Sequence, residues 1–235
     1  MGSRRGSIST PIIADGLIFN MDAANRASYP KIGVTWNDTI GDKNGTLTND
    51  PTFNNNNNGS NFSFDGVDDY VTMGDVLNFD RSNAFSVSMW VKYDTAGTDI
   101  FISKSTAAGK GWGLFTYSNY LYFQMIELNN ARKIVTRGGT TFPTGAWKHV
   151  VLTYDGSSTW NGVQIYIDAV AETMADTGSS TLIATTLVSA DFNVGSRDNG
   201  NSPFDGSISN VHIYNRVLSA AEVTQNYNAL KNRFI

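Results

Sequence analysis

Glycoside hydrolysis needs two carboxylates flanking the bond to be cut, and this chain offers few candidates. Its only glutamates are Glu127, Glu172 and Glu222, and no Glu-x-Asp-x-x-Glu array occurs. Glu222 stands three residues after Ser219, the spacing of a capping box in which hydroxyl and carboxylate satisfy orphan amides at a helix start. The adjacent Asp68 and Asp69 read as alternating across a strand, which sends their carboxylates to opposite faces. His149 and His212 each fall inside a β-prone run with no second histidine at ligand spacing, so both read as imidazoles packed on a sheet face. No nucleophile-elbow motif marks a serine. Cysteine is absent, which removes thiolate nucleophiles, cysteine metal sites and disulfides. The expectation is a non-enzyme with no catalytic residues.

Binding chemistry is better represented. Trp160 lies in Ser157-Ser-Thr-Trp-Asn-Gly162 at a hairpin tip, and Arg197, Asn199 and Asn201 share the turn-rich loop that ends at Pro203. An aromatic face can stack on sugar C–H bonds while amides and a guanidinium bond hydroxyls. Large rings also close the ends of a core. That second reading takes Trp112, which sits between glycines, and leaves Trp160 open between the two. Any binding is expected on these loops and away from the sheet faces.

The elements that must position these residues are strands. In Phe85–Lys92, Phe85, Val87, Met89 and Val91 alternate inward against Ser86, Ser88, Trp90 and Lys92 on a face expected to be partly open. Trp147–Asp155 is apolar on both faces, as a central strand should be. Ile100–Lys104, Leu114–Tyr117, Tyr120–Ile126, Val163–Asp168 and a weaker Leu182–Val188 complete the middle of the chain. Asn44-Gly45 reads as a tight turn, Asp65-Gly66 as a hairpin turn, and Asn54–Asn58 as a surface loop. In Phe204–Tyr214, alternation puts Ile208, His212 and Tyr214 on one face and Val211 and Ile213 on the other. Val223, Tyr227 and Leu230 then follow at helical spacing. Many short strands with a helix only at the end predict two antiparallel sheets packed face to face.

Particular runs carry a family resemblance. Phe204-x-Gly-x-Ile-x-x-Val-x-Ile-Tyr-Asn-Arg-x-Leu-Ser219-x-x-Glu222-Val, with Phe64-Asp-Gly-x-Asp-Asp-Tyr-Val71, resembles laminin-G-like, concanavalin A-like jelly-roll domains. Ile102-Ser-Lys104 followed by Gly111-Trp-Gly-Leu114, and the order Asp38, Gly41, Asn44-Gly45, fit the same pattern. The tail Gln225–Phe234 is similar to the form found in structural proteins of tailed bacteriophages. The resemblance spans roughly residues 15 to 234. It implies an all-β, two-sheet antiparallel jelly-roll sandwich with a short C-terminal helix, and a virion protein that displays loops to glycans or to other virion proteins. A purely structural capsid or tail decoration protein with no sugar binding is the alternative, and a glycan-active enzyme a remote third. Such domains often hold Ca²⁺ at the sandwich rim, which here implies Asp22, Asp38, Asp65 and Asp205 as oxygen donors, with Asp42 and Asp68 also at strand ends and turns. Acidic residues common after the isoleucine of the last motif are replaced by Ser209 and Asn210.

Length and composition agree with one sandwich domain over residues 15–235 behind a flexible N-terminal arm of residues 1–14. Hydrophobic residues make up 40%, enough for a sizeable core, and the net charge of −4 comes without a basic stripe, which argues against nucleic acid as a partner. The start lacks an apolar run of signal-peptide length, and no stretch is long enough to insert in a membrane. The expected location is a virion, with synthesis in the host cytoplasm.

Overall fold

The computed structural model describes residues 10–56, 59–127 and 132–235. Their strands form two antiparallel sheets. The eight-stranded sheet runs Val170–Ala171, Val163–Ile167, Trp147–Tyr154, Phe85–Tyr93, Asp205–Tyr214, Asn61–Asp65 and Thr52–Asn54, and Leu17–Asp22 also pairs with Asp205–Tyr214. The nine-stranded sheet runs Ala175–Asp176, Lys133–Thr141, Tyr120–Ile126, Gly111–Tyr117, Ile100–Ser105, Phe192–Val194, Tyr70–Thr72, Gly45–Thr48 and Thr35–Trp36. Period-two alternation points one side of each strand into the space between the sheets. Phe85, Val87, Met89, Val91, Val150, Leu152 and Tyr154 meet Trp112, Leu114, Leu121, Phe123 and Met125 there, all buried. Each such side chain contributes about 1.5–3 kcal/mol on burial. Trp112 is thus core, as expected.

The outer face of the eight-stranded sheet is closed, not partly open. Helix Ala220–Leu230 lies across it, begun by the expected capping box: the Glu222 amide donates to Ser219 Oγ and the Ser219 amide donates to Glu222 Oε2 at 2.8 Å. Arg216 grips the same carboxylate through hydrogen bonds of 3.0 and 2.7 Å, and chiefly by that bond holds its pKa down to about 2. Tyr227 and Phe234 stack on Trp90, and Val223 and Leu218 cluster with Val151 and Tyr214. His149 and His212 are buried in this layer, and burial pushes their pKa values down to about 3 and about 4. Both imidazoles are therefore neutral, and His149 Nε2 lies 2.9 Å from Ser88 Oγ. Pro11 and Ile13, inside the segment expected as a free arm, bond to this helix: Gln225 Nε2 donates to Pro11 O and the Ile13 amide donates to Asn226 Oδ1 at 2.8 Å. Residues 1–9 of that arm, and residues 57 and 58 of the asparagine run, lie outside the described residues.

Four local expectations change. The pairing of Asp205–Tyr214 with Phe85–Tyr93 shifts between Ile208 and Asn210, so Ile208 joins Val211 and Ile213 in the core while Asn210, His212 and Tyr214 face the helix. A bulge consumes one extra residue and resets which face each neighbour takes. Asp65-Gly66 is a turn, with Gly66 at φ +73°, but it makes no hairpin, because Asn61–Asp65 and Tyr70–Thr72 belong to different sheets. Gly45 begins a strand, and a Cβ there would stand 2.5 Å from Val71 Cγ1, so close approach explains the glycine where a turn was expected. Leu182–Val188 forms no strand. Side chains hold it instead: Glu127 Oε1 accepts the Ala184 amide at 2.8 Å, and Asp80 Oδ1 accepts the Thr186 amide at 2.8 Å.

Candidate functional site

The nine-stranded sheet has no helix over its outer face among the described residues, and its alternation leaves a patterned surface. Since Leu121, Phe123 and Met125 point into the core, Tyr122, Gln124 and Ile126 point out. The register aligns their neighbours into three rows across the strands. One row is Arg137, Tyr122 and Phe115; the next is Val135, Gln124 and Gly113; the third is Lys133, Ile126 and Gly111. Tyr122 stacks on Phe115 with centroids 5.5 Å apart, and Tyr117 meets Tyr122 edge-on at 5.9 Å. The Arg137 guanidinium sits 3.8 Å above the Tyr120 ring. Rings, an amide and a guanidinium therefore share one face, with two glycines keeping its middle low.

A loop walls this face. After Phe192–Val194 the chain doubles back over the same sheet, pinned where Ser103 Oγ donates to Ser196 O at 3.0 Å and Asn199 Nδ2 donates to Asp191 Oδ2 at 3.1 Å. Arg197 and Asn201 exchange backbone hydrogen bonds of 2.7 Å, and Asn201 Nδ2 donates to Asp198 O at 3.2 Å. Of the three predicted loop residues, Asn199 and Asn201 thus hold the loop's shape. Arg197 alone reaches the sheet: its Nη1 lies 3.9 Å, and Gln124 Nε2 3.0 Å, from the point where a Cβ on Gly109 would stand. Burial pulls the guanidinium's pKa below its ordinary value.

Trp160 is elsewhere. It sits in a 3-10 turn, half-buried against the core, and lines a hollow with Thr159, Asn161, Ser179, Ser180 and Thr181 in which Arg197 takes no part. The two loops expected to carry binding therefore lie apart. The sheet-face residues Phe115, Tyr117, Tyr122, Gln124 and Arg137 were not among the sequence candidates. Their signal was a strand, Tyr120–Ile126, with aromatic residues on both faces.

The four aspartates implied as calcium ligands do not converge. Asp22 bonds Arg233 Nη1 at 2.8 Å, and Asp38 Oδ1 accepts the amides of Asn20 and Ile40 at 3.0 Å. Asp65 lies opposite Asp205 across two strands, whereas Asp22 pairs with Asn210, five residues further along (210 − 205) and so roughly 17 Å away. Asp65, Asp68 and Asp69 come together instead, with one ligand atom from each within 4.8 Å of the others. The expectation that Asp68 and Asp69 point apart fails because both lie in the turn between sheets, before the strand begins at Tyr70. Asp69 is 4% exposed, its Oδ2 accepts the Asp65 amide at 3.1 Å, and its Oδ1 is buried without a partner. Burial first, then the Asp65 charge, raises its carboxyl to about 6. A buried unpartnered oxygen beside two exposed carboxylates suits a hard cation.

The sequence profile of the concanavalin A-like lectin/glucanase superfamily, laminin G type 3, matches residues 65–224. The chain belongs to this superfamily. No curated protein matches it. The binding domain of Paraclostridial Mosquitocidal Protein 1 superposes with a TM-score of 0.67 at 14% identity over 91% of this chain and 52% of that one. The binding domain of botulinum neurotoxin serotype G gives 0.64 at 18% identity over 90% and 50%. The Trypanosoma rangeli sialidase in complex with sialic acid gives 0.64 at 19% identity over 97% and 36%. The chain spans about half the length of the two binding domains and about a third of the sialidase. At these identities the likeness is one of fold.

Proposed function

We propose that this superfamily domain is a non-enzymatic glycan-binding module whose platform is the outer face of the nine-stranded sheet. The observation that carries the reading is the asymmetry of the sandwich. One outer face is closed by the chain's own helix, while the other carries Tyr117, Tyr122, Gln124 and Arg137 without such a cover. Aromatic rings beside a few polar anchors are the usual composition of a sugar site. The three central rows contain no carboxylate, whereas hydrolysis requires a flanking pair.

Glycan-array binding of the isolated domain tests the reading, with Tyr122→Ala as the control. Loss of on the order of tenfold or more in affinity is expected if Tyr122 is a hot spot. A domain that binds no glycan but binds virion proteins would be a purely structural decoration protein. Turnover of a bound polysaccharide would overturn the non-enzymatic part.

The finer setting, a virion component of a tailed phage that displays this face outward, rests on the resemblance of the closing run and tail. Imaging an intact particle in which the chain is traced is its test. Calcium belongs to the proposal at a different place from the four aspartates first implied. Asp65, Asp68 and Asp69 would hold it, and it would brace the turn that carries the chain between sheets.

A further inference from the structure

Arg197 is a charge without a partner. It lies partly buried on the sheet, yet no carboxylate among the described residues comes within ion-pair distance of it, and its guanidinium donates no hydrogen bond to them. The nearby carboxylate of Asp191 is already engaged by Thr72 Oγ1 at 3.2 Å and Asn199 Nδ2 at 3.1 Å. Removing a cation from water without a counter-charge is unfavourable, so the fold alone gives no reason for this placement.

The loop that carries it is held in a costly shape. Asp198, Asn199 and Ser202 have φ of 44°, 55° and 51°, and Gly200 has 113°. Non-glycine residues in the left-handed region store strain, and such strain collects where a ligand group must be met in a fixed position. The hydrogen bonds within the loop and to Ser103 and Asp191 maintain that shape, so Arg197 is presented by a stiff support. Beside it, Gln124 Nε2 donates one hydrogen to Gly109 O at 3.2 Å, and among the described residues its second hydrogen meets no acceptor. Gly109 adds no side chain to fill the space that both nitrogens approach.

We propose that Arg197, assisted by Gln124, reads an acidic group on the bound glycan, a sugar carboxylate, so that the module selects uronate- or sialate-bearing glycans over neutral ones. The inference rests on the sheet face being the glycan platform. The planar fork of a guanidinium matches a carboxylate through two parallel hydrogen bonds, and these charge-assisted bonds are about twice as strong as neutral ones. The neighbouring rings would then carry the apolar face of the same residue or the next.

The test measures binding of the whole chain to polygalacturonate and to its methyl ester, and to 3′-sialyllactose and lactose, for the natural sequence and for Arg197→Gln and Arg197→Lys. The natural protein should prefer the acidic member of a pair by about ten- to hundredfold, the range for a hydrogen bond to a charged group. Added salt should reduce that preference. Arg197→Gln should bring the ratio close to one, and Arg197→Lys should retain part of the preference. Because the charge is unpaired, Arg197→Gln should unfold at an unchanged or higher denaturant concentration; a large loss of stability would make Arg197 a structural residue and overturn the proposal. Equal binding of acidic and neutral members by the natural protein overturns the charge reading and leaves the platform standing. Binding of none of these probes or of any other glycan overturns both.

Discussion

Trp90 and Phe234 stack with ring centroids 4.5 Å apart and planes 22° from parallel, which fixes the last turn of the chain over the centre of the eight-stranded sheet. Trp147, on the neighbouring strand, also meets Phe234 at 4.8 Å. Phe234→Ala removes both contacts and opens the covered face. A loss of about 1–3 kcal/mol is expected, less than for a fully buried ring. Urea unfolding should show a lower midpoint at unchanged slope; an unchanged midpoint would mean that the terminal turn adds nothing to the sandwich.

Acid should weaken the same layer. His149 and His212 have folded pKa values of about 3 and about 4, below the ordinary 6.5, so below pH 6.5 the unfolded chain binds protons that the folded chain does not. Their contribution is complete above pH 6.5 and is lost as pH falls toward 4. Asp22 and Arg233 face His212 with opposing effects, and burial dominates both. Asp69, raised to about 6, works the other way between 6 and its ordinary 3.8. Two histidines against one aspartate leave a net loss of stability on acidification, on the order of 1 kcal/mol per pH unit. Denaturation midpoints at pH 7.5 and 5.0 should differ accordingly, and His212→Gln should flatten the difference. Equal midpoints for the natural protein would contradict the burial of the two imidazoles as neutral groups.

Ser219→Ala should cost about 1 kcal/mol. The hydroxyl accepts the Glu222 amide at the start of the helix, and alanine leaves that donor to water. Because Arg216 also fixes Glu222, the loss should grow when Arg216→Ala is added. Strict additivity in the double mutant would separate the cap from the ion pair.

Most of the architecture was readable in the sequence because it is set by local alternation. Phe85–Tyr93 and Trp147–Tyr154 place their residues as the period of two dictates, and Ser219 and Glu222 form the cap their spacing implied. What was not readable depends on long-range pairing. The bulge at Ile208–Asn210 is created by register against a strand more than a hundred residues away, and Asp65-Gly66 gives a turn without revealing which sheets it joins. Of the residues in the proposed platform, Arg197 alone was a candidate from the sequence. Trp160 stayed open in the sequence because loop composition alone does not say whether an indole faces solvent or the end of the core. Tyr122 was not a candidate because its outward face emerges only once Leu121 and Phe123 are known to be inside.

Ca²⁺ should raise the melting temperature by mass action on the folded state if Asp65, Asp68 and Asp69 hold it. Asp69→Asn removes the buried carboxylate and should abolish the increase, while Asp22→Asn, at the Arg233 ion pair, should leave it intact. Chelated and Ca²⁺-loaded samples that melt together across millimolar concentrations would remove the ion and leave Asp65 as a backbone cap, a role it already has through the Val67 amide at 2.8 Å.

Trp160 and Tyr122 make opposite predictions, and the pair decides where binding lies. Trp160 packs against the core from a 3-10 turn, so Trp160→Ala opens space at the end of the sandwich and should cost about 1–3 kcal/mol, below the range for a fully buried indole. Tyr122 lies on the outer face, supported from one side by Phe115, and its removal exposes no cavity between the sheets. Tyr122→Ala should therefore change stability by no more than about 1 kcal/mol. Its glycan affinity should fall by on the order of tenfold or more, while Trp160→Ala, assayed at a temperature where it is folded, should bind as the natural protein does. Reversal of the two patterns, with Trp160→Ala stable and unable to bind, would move the site to the hollow lined by Thr159, Asn161 and Ser179–Thr181.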